Sequence, residues 1–167
     1  MKKYIFSLIA LFTMGFALTS CNPETNEPAG GNKIVDMTGD WLVTVDAIAP
    51  DGTVYEDPYG KGQFHVYTYA TTNDETDKMW LQDDVFWGLK FLVPIDYNNK
   101  TFNCENLPYD QVETGHVTIT NAKITKNGGT NIHGKPVDAI TFDAQFDDDT
   151  DGMTWRYHGV RYQGFTE

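Results

Sequence analysis

From Met37 onward, the chain is a succession of short segments rich in aromatic and β-branched residues, separated by turn residues and without a sustained helical period. Segments of this kind are typical of β-strands joined by tight turns. The turn sequences are Pro50-Asp51-Gly52, Asn73-Asp74, Asn98-Asn99, Asn127-Gly128-Gly129 and Asp151-Gly152. The pattern predicts strands near residues 40–48, 63–71, 78–83, 88–97, 101–105, 114–125, 137–147 and 153–165.

The predicted strands restrict the fold to two all-β architectures. Strands joined mostly by short turns pair with their sequence neighbours, and eight of them over about 130 residues can close into an antiparallel up-and-down meander barrel. Closure also removes the sheet edges that would otherwise be free to pair with other chains. We therefore expect residues 37–167 to form one β-barrel domain, with a two-sheet β-sandwich as the alternative.

The alternation of apolar and polar residues predicts one buried and one wet face for the barrel wall. The predicted inward faces are Trp41, Val43, Val45 and Ala47 in the first strand and Ile140, Phe142, Ala144 and Phe146 in the seventh.

The second predicted strand carries aromatic residues on both of its faces. His65, Tyr67 and Tyr69 share one face. Because each ring joins an apolar body to a hydrogen-bonding tip, this face could line a semi-polar cavity, and cross-strand pairing on the outer surface is the alternative. Together with Trp80 and Trp87, these residues are the candidate ligand-binding side chains.

The N-terminus has the pattern of an export signal. Lys2 and Lys3 precede an apolar run from Tyr4 to Leu18. A basic tip followed by about 15 apolar residues predicts a secretory signal peptide rather than a membrane span, which needs about 20. We assign residues 1–20 to this signal.

The apolar run ends in Leu18-Thr19-Ser20-Cys21. This sequence resembles a bacterial lipobox, which implies that Cys21 becomes the acylated first residue of the mature protein. Residues 21–36 are rich in Pro, Glu, Asn and Gly and are predicted to form the lipidated N-terminus and a flexible tether. We expect a lipoprotein of the cell envelope, attached to the outer membrane through its acyl chains alone, on the periplasmic or the surface side.

The charge of the chain excludes some classes of partner. Twelve Lys and Arg stand against 24 Asp and Glu, a formal net charge of −12. Removal of Lys2 and Lys3 with the signal peptide takes the mature protein to −14. Such a surface repels nucleic acid and anionic membrane faces. We expect a monomer that binds a small ligand and no nucleic acid.

The residues available for catalysis are few. The only serines, Ser7 and Ser20, lie in the predicted signal peptide, so the mature chain contains no serine nucleophile. Cys104 is the remaining thiol, and the adjacent Glu105 opposes its ionisation. The four histidines show no metal-ligand spacing. The sequence therefore predicts no catalytic residue and no cofactor.

One acidic turn matches part of a calcium-binding motif. Asp147, Asp149 and Asp151, followed by Gly152, have the spacing that begins an EF-hand loop. His158 stands where that loop needs its final glutamate, and the flanking segments are predicted strands, so the EF-hand itself is excluded. Weak calcium capture at this turn and a plain acidic hairpin turn are the two remaining interpretations.

Gly39-Asp40-Trp41 opens the first predicted strand, and Arg156 and Arg161 lie on the last. This arrangement resembles that of the lipocalins and calycins. The resemblance implies that Gly39, Trp41, Arg156 and Arg161 close one end of the barrel, with the tryptophan as a floor and a guanidinium stacked on its indole.

Four segments are similar to the Bacteroidetes family of lipid-binding putative hydrolases. They are Thr38-Gly39-Asp40-Trp41, Asp77-Lys78-Met79-Trp80, Phe86-Trp87-Gly88-Leu89-Lys90 and His158-Gly159-Val160-Arg161-Tyr162-Gln163-Gly164-Phe165. The resemblance implies a lipoprotein with a calycin-like barrel and a lipid-like ligand.

We therefore expect a non-catalytic module that binds a small apolar or amphipathic ligand in the barrel. A hydrolase of unknown substrate is the first alternative. The second is an envelope interaction or structural protein with an exposed patch of Trp80, Phe86 and Trp87.

Overall fold

The computed structural model describes residues 31–109 and 115–164. The predicted signal peptide, Cys21 and the tether as far as residue 30 lie outside the described residues. The folded unit begins at Gly31. Among the described residues, no helix is long and apolar enough to cross a lipid bilayer.

The described chain is an antiparallel β-barrel preceded by one turn of 3-10 helix, Val35–Met37. Its strands are β1 (Gly39–Ile48), β2 (Val54–Tyr55), β3 (Phe64–Tyr69), β4 (Lys78–Asp83), β5 (Leu89–Asp96), β6 (Thr101–Pro108), β7 (His116–Thr130), β8 (Pro136–Phe146) and β9 (Thr154–Arg161). Strands β3 to β9 pair in chain order, β1 pairs with β3, and β1 also pairs with β9. This last pairing closes an eight-stranded barrel, and the two-residue β2 lies beside the end of β1. The predicted barrel is confirmed, and the sandwich is not formed.

The start of the described chain packs on the barrel. Ile34 and Met37 are buried, and the backbone N–H of Lys33 donates to Asp74 Oδ1 at 2.8 Å. Residues 31–36, which the composition assigned to the tether, are therefore packed against the domain.

The turn predicted at Asn127-Gly128-Gly129 is wrong, because these residues belong to β7. Asn127 adopts a positive φ of 52°, and the register with β8 shifts between Thr125 and Gly129. Such a shift is a β-bulge, in which extra residues bend a strand without ending it. The chain turns five residues later instead, where the N–H of Asn131 donates to the carbonyl of Lys135.

The register of the strands defines two ends of the barrel. The lower end holds the 3-10 helix, the turns 70–77, 97–100 and 131–135, and the residues after β9. The upper end holds the segment 49–63, the turns 84–88 and 147–153, and Tyr109 directly after β6. These names are used below.

The middle of the barrel is filled by side chains from its own strands. The predicted inward faces of β1 and β8 are confirmed, since every residue predicted to point inward there is buried. The fully inaccessible side chains include Trp41, Val43, Val66, Leu81, Val93, Ile119, Phe142 and Tyr157. A side chain with no accessible surface adjoins no water-sized space, so around these residues the interior has the packing of a protein core.

Candidate ligand site

The lower end is closed around Trp41. Its indole N–H donates to Thr68 Oγ1 at 2.8 Å, and the threonine hydroxyl donates to the carbonyl of Met37 at 2.7 Å. The guanidinium carbon of Arg161 lies 4.4 Å from the centre of the indole ring, a cation–π arrangement. A Cβ on Gly39 would collide with Arg161 Nη1, so a larger residue at position 39 would displace the guanidinium from Trp41.

Arg156, the other arginine expected at this closure, lies elsewhere. It points outward from β9 and forms two hydrogen bonds with the buried carboxylate of Asp143, at 2.8 and 3.0 Å. Burial alone would raise the pKa of Asp143, but the hydrogen bonds from Arg156 and Asn121 outweigh burial and lower it. The structure therefore brings Gly39, Trp41 and Arg161 together and leaves Arg156 outside that group.

The candidate residues on β3 and β4 do not line the interior. His65, Tyr67, Tyr69 and Trp80 are half-buried on the outer face, because the residues that alternate with them on each strand occupy the core. Tyr69 stacks on Trp80 with ring centroids 6.1 Å apart. His65 Nδ1 lies 2.7 Å from Asp40 Oδ1. These are the contacts of outer-face pairing between neighbouring strands, the alternative left open by the sequence.

Trp87 joins a cluster of aromatic rings that fills the upper end, the aromatic end of the barrel. Its ring stacks on that of Phe146 at 4.2 Å, and its indole N–H donates to Asp148 Oδ1 at 3.3 Å. Phe86 contacts Trp155 at 5.0 Å between ring centroids. The rings of this cluster belong to Tyr59, Phe64, Phe86, Trp87, Tyr109, Phe146, Trp155 and Tyr157.

One buried carboxylate holds the turn that carries Phe86 and Trp87. Asp83 has no exposed surface. Its Oδ1 accepts the backbone N–H groups of Val85 and Phe86 at 2.8 and 2.9 Å, and its Oδ2 accepts that of Trp87 at 3.1 Å. These three bonds fold the turn back over the barrel, so that its aromatic side chains point into the aromatic end.

The hydroxyl of Tyr157 donates a fourth hydrogen bond to Asp83, at 3.0 Å to Oδ2. Burial and the neighbouring carboxylate raise the pKa of Tyr157 well above its usual value, which keeps this hydroxyl protonated as a donor. The turn is thereby tied to β9. An aspartate directly before a turn often accepts hydrogen bonds from the backbone of that turn, so this part of the role of Asp83 could be read from the sequence. Its hydrogen bond with Tyr157 could not.

The aromatic end is only partly shielded from solvent. Tyr59 is 60% exposed although its ring lies 5.5 Å from that of buried Trp155, and Val85 is 47% exposed at the tip of the turn. The hydroxyl of Tyr109 and the indole of Trp87 both donate to Asp148 at its rim. Exposed apolar surface over a buried aromatic cluster, with a few polar groups beside it, is the composition of a site for small apolar or amphipathic ligands.

The acidic turn at 147–151 does not gather its carboxylates. Asp147 accepts from the N–H of His116 at 2.8 Å, while Asp149 accepts from the N–H of Met153 and from the indole of Trp155. In residues 31–109 and 115–164, no group of three or more His, Cys, Asp or Glu side chains is placed to hold a metal ion. The carboxylates of Asp147 and Asp149 are thus occupied by N–H groups around the turn, and Asp151 donates its backbone N–H to Asp149.

The thiol and the imidazoles lie apart from one another. Cys104 Sγ donates to the carbonyl of Val117 at 3.6 Å, and burial raises the pKa of its thiol. His65, His116 and His158 each contact an aspartate at 2.7 to 3.0 Å. Within the described residues, no hydroxyl or thiol hydrogen-bonds to any of these three imidazoles, so none has the nucleophile that a catalytic triad requires.

A small groove on the outer wall near the lower end is lined by Leu42, Ile132, Val160 and Tyr162, among others. Its volume is about 30 Å³. This space suits one or two waters rather than an acyl chain. Two larger hollows, of about 210 and 410 Å³, lie on the wall along residues 94–96, 101–103 and 121–123.

Comparison with known proteins places the chain in a family. No curated protein matches it. The family model for the lipid-binding putative hydrolases matches residues 26–166, which include every strand of the barrel. The chain therefore belongs to the family described as lipid-binding putative hydrolases.

Proposed function

We propose that the protein is a membrane-anchored lipoprotein that binds a small apolar or amphipathic, lipid-like ligand at the aromatic end of its barrel and does not hydrolyse it. The observation that carries the proposal is the partly exposed aromatic cluster at one end of an otherwise packed barrel. The description of its family supports a lipid-like ligand.

Binding at the aromatic end draws on apolar contact. Tyr59 and Val85 offer exposed surface above Phe86 and Trp155. Covering such surface stabilises a complex by roughly 25 cal/mol per Å². The hydroxyl of Tyr109 and the indole N–H of Trp87 are the polar donor groups at the rim beside which a polar part of the ligand would lie. This distribution favours an amphiphile with one apolar arm.

The non-catalytic part of the proposal is supported by the placement of reactive groups. The sequence after Ser20 contains no serine. Cys104 is held by burial as a thiol, and the imidazoles of His65, His116 and His158 contact carboxylates. A screen with ester, amide and glycoside substrates tests this part, and turnover that disappears on substitution of a histidine or a carboxylate would overturn it.

Ligand binding is tested by native mass spectrometry of the full chain carrying Cys21→Ala, incubated with oleate. We expect a one-to-one complex that Tyr59→Ala weakens about threefold to tenfold, through loss of roughly 1 kcal/mol of contact. Ile132→Ala is the matched control, since Ile132 is 52% exposed at the other end of the barrel. Equal weakening by both substitutions would refute the aromatic end as the site.

The anchor and the location are tested in cells. Our proposal places the protein at the outer membrane, held by acyl chains on Cys21. Labelled fatty acid should be incorporated into the wild-type chain and not into Cys21→Ala. Equal labelling of the two chains would contradict an acyl anchor on Cys21. Protease added to intact cells separates the surface side from the periplasmic side.

A further inference from the structure

The barrel wall opens between β5 and β6. The two strands are each eight residues long, but their ladder holds only the registered pairs Ile95–Phe102 and Asp96–Thr101 within the described chain. On its other side β5 pairs with β4 over six consecutive residues, 89–94. The ladder is therefore interrupted along 91–94 of β5 and 103–108 of β6, which we call the slot.

Two features of the sequence keep the slot open. Pro94 has no N–H to donate and stands where the ladder would continue. Strand β6 has register shifts against β7 on both sides of Cys104, and Asn106 adopts a positive φ of 49°. Bulges of this kind insert residues that bend a strand away from its neighbour.

The wall closes again above the slot. The N–H of Lys90 donates to the carbonyl of Tyr109 at 2.8 Å. If the register of the pair Ile95–Phe102 continued regularly, Lys90 would lie opposite Leu107. Its observed partner is Tyr109, so β6 contains two more residues than β5 over this stretch. The four residues 91–94 correspond to roughly 13 Å of strand, the length over which the slot runs.

The slot has apolar side chains along its length and a polar rim. Phe91 is 5% exposed beside it, and Val93 is fully covered. Cys104 and Leu107 face inward, opposite the buried residues Ile119 and Val117 of β7, but are only half-buried because β5 stands away from them. The exposed side chains along the β6 rim are Asn103, Glu105 and Asn106.

Lys90 lies at the upper end of the slot. Lys90 is exposed and has no ion pair with any residue that the structure describes. The arginines that could otherwise offset the negative charge of the protein are already engaged, Arg156 with Asp143 and Arg161 with Asp138. In a chain of net charge −12, an unpaired lysine beside an apolar slot favours an anionic head attached to an apolar tail.

We propose that the slot between β5 and β6 binds one acyl chain of a single-chain anionic amphiphile, whose head lies beside Lys90 at the aromatic end. This inference rests on the proposed function. It adds the chemical class of the ligand and the place in the barrel wall where its acyl chain lies. The tail contacts Leu107, Cys104 and the edge of Phe91. A fatty acid carboxylate and a lysophospholipid phosphate share this chemistry.

Cys104 provides a test that needs no substitution in the slot. In the full chain carrying Cys21→Ala it is the sole thiol, and its rate of reaction with a soluble disulfide reagent reports the exposure of the slot. Oleate at ten times its Kd should slow this reaction about tenfold, because only about one molecule in eleven is then unbound. Lysophosphatidate and oleyl alcohol form parallel arms, which separate a carboxylate head, a phosphate head and an uncharged head.

The outcomes distinguish the slot from the site as a whole. Protection by oleate, lysophosphatidate or both, with weaker protection by the alcohol, supports the slot and identifies the head. A complex seen by mass spectrometry with an unchanged thiol rate overturns the slot while the proposed function stands. Absence of any complex overturns both.

Substitutions give a second route to the same answer. Lys90→Glu should weaken oleate about fivefold to tenfold, the effect of losing one exposed charge contact and adding a repulsion, and leave oleyl alcohol unchanged. Lys135→Glu makes the same charge change at the lower end and should change neither affinity. Leu107→Trp, checked for folding by circular dichroism, should fill the slot and weaken both ligands. Equal effects of the two lysine substitutions would refute the contact with Lys90.

Discussion

The two ends of the barrel are closed in different ways. At the lower end a fully buried indole is held between a threonine hydroxyl and a guanidinium, and Trp41 and Gly39 leave no room between them and Arg161. At the upper end the closing rings are carried by a turn, some remain partly exposed, and the backbone of that turn depends on the carboxylate of Asp83. The lower closure is therefore fully part of the core, whereas the upper closure leaves part of its apolar surface exposed.

The largest effect should come from the lower end. Trp41→Ala removes a fully buried aromatic side chain and should lower the free energy of unfolding by about 3–5 kcal/mol. Chemical denaturation measures this loss. Trp80→Ala on the outer face is the control and should cost less than half as much. A similar loss for both would mean that the lower end is not a special closure.

The upper end should respond less in stability and more in local structure. Asp83→Ala leaves three backbone N–H groups and the hydroxyl of Tyr157 without their acceptor, which should cost about 2–4 kcal/mol. The emission of Trp87 should shift to longer wavelength as the turn releases it.

Asp84→Ala supplies the comparison, because Asp84 is exposed and accepts only from Gln82 among the described residues. It should leave both readouts unchanged. A loss in Asp83→Ala with no change in Trp87 emission would show that the turn keeps its shape without the carboxylate.

Gly39 allows a finer test of the lower end. Gly39→Ala places a methyl group where Arg161 Nη1 lies and should cost about 1–3 kcal/mol by displacing the guanidinium from Trp41. Combined with Arg161→Ala, the two losses should be less than additive, because the clash disappears with the arginine. Strict additivity in this double-mutant cycle would mean that the glycine acts through the backbone alone.

The smallest expected effect is a pH dependence of the free energy of unfolding. It comes from an ion pair on the barrel wall between the two ends. The folded-state pKa of Asp143 is held below its usual value of 3.8, so its bond with Arg156 contributes fully above about pH 4 and is lost as the pH falls through the folded pKa. The contribution is about 1 kcal/mol, since Arg156 is partly exposed. Denaturation of wild type and Asp143→Asn at pH 2.5–7 should converge at low pH. A constant gap would contradict this linkage.

The strands could be predicted because one face of each is buried, and alternation in β1 and β8 follows directly from that fact. The same alternation could also have separated the two arginines. Arg156 and Arg161 are five residues apart on one strand, so their side chains lie on opposite faces. Only one of them could meet Trp41. The orientation of His65 and its aromatic neighbours was ambiguous because both faces of β3 carry large apolar rings.

Other parts of the site depend on contacts between distant residues. The pairing of Asp83 with Tyr157 joins residues 74 positions apart, and local sequence contains no trace of it. The slot forms where the hydrogen-bonded ladder between β5 and β6 is interrupted. In the sequence, Pro94 was the one sign of this interruption. Strand β2 is two residues long and too short to produce a period.

Strand β9 has a consequence for how the protein is made. It supplies Trp155 and Tyr157 to the upper end, Arg161 to the lower end and the partner that β1 needs to close the sheet. During synthesis, which proceeds from the N-terminus, none of these can be completed until the last strand has emerged. Every nascent chain that stops before Thr154 exposes two sheet edges, lacks both closures and is open to aggregation.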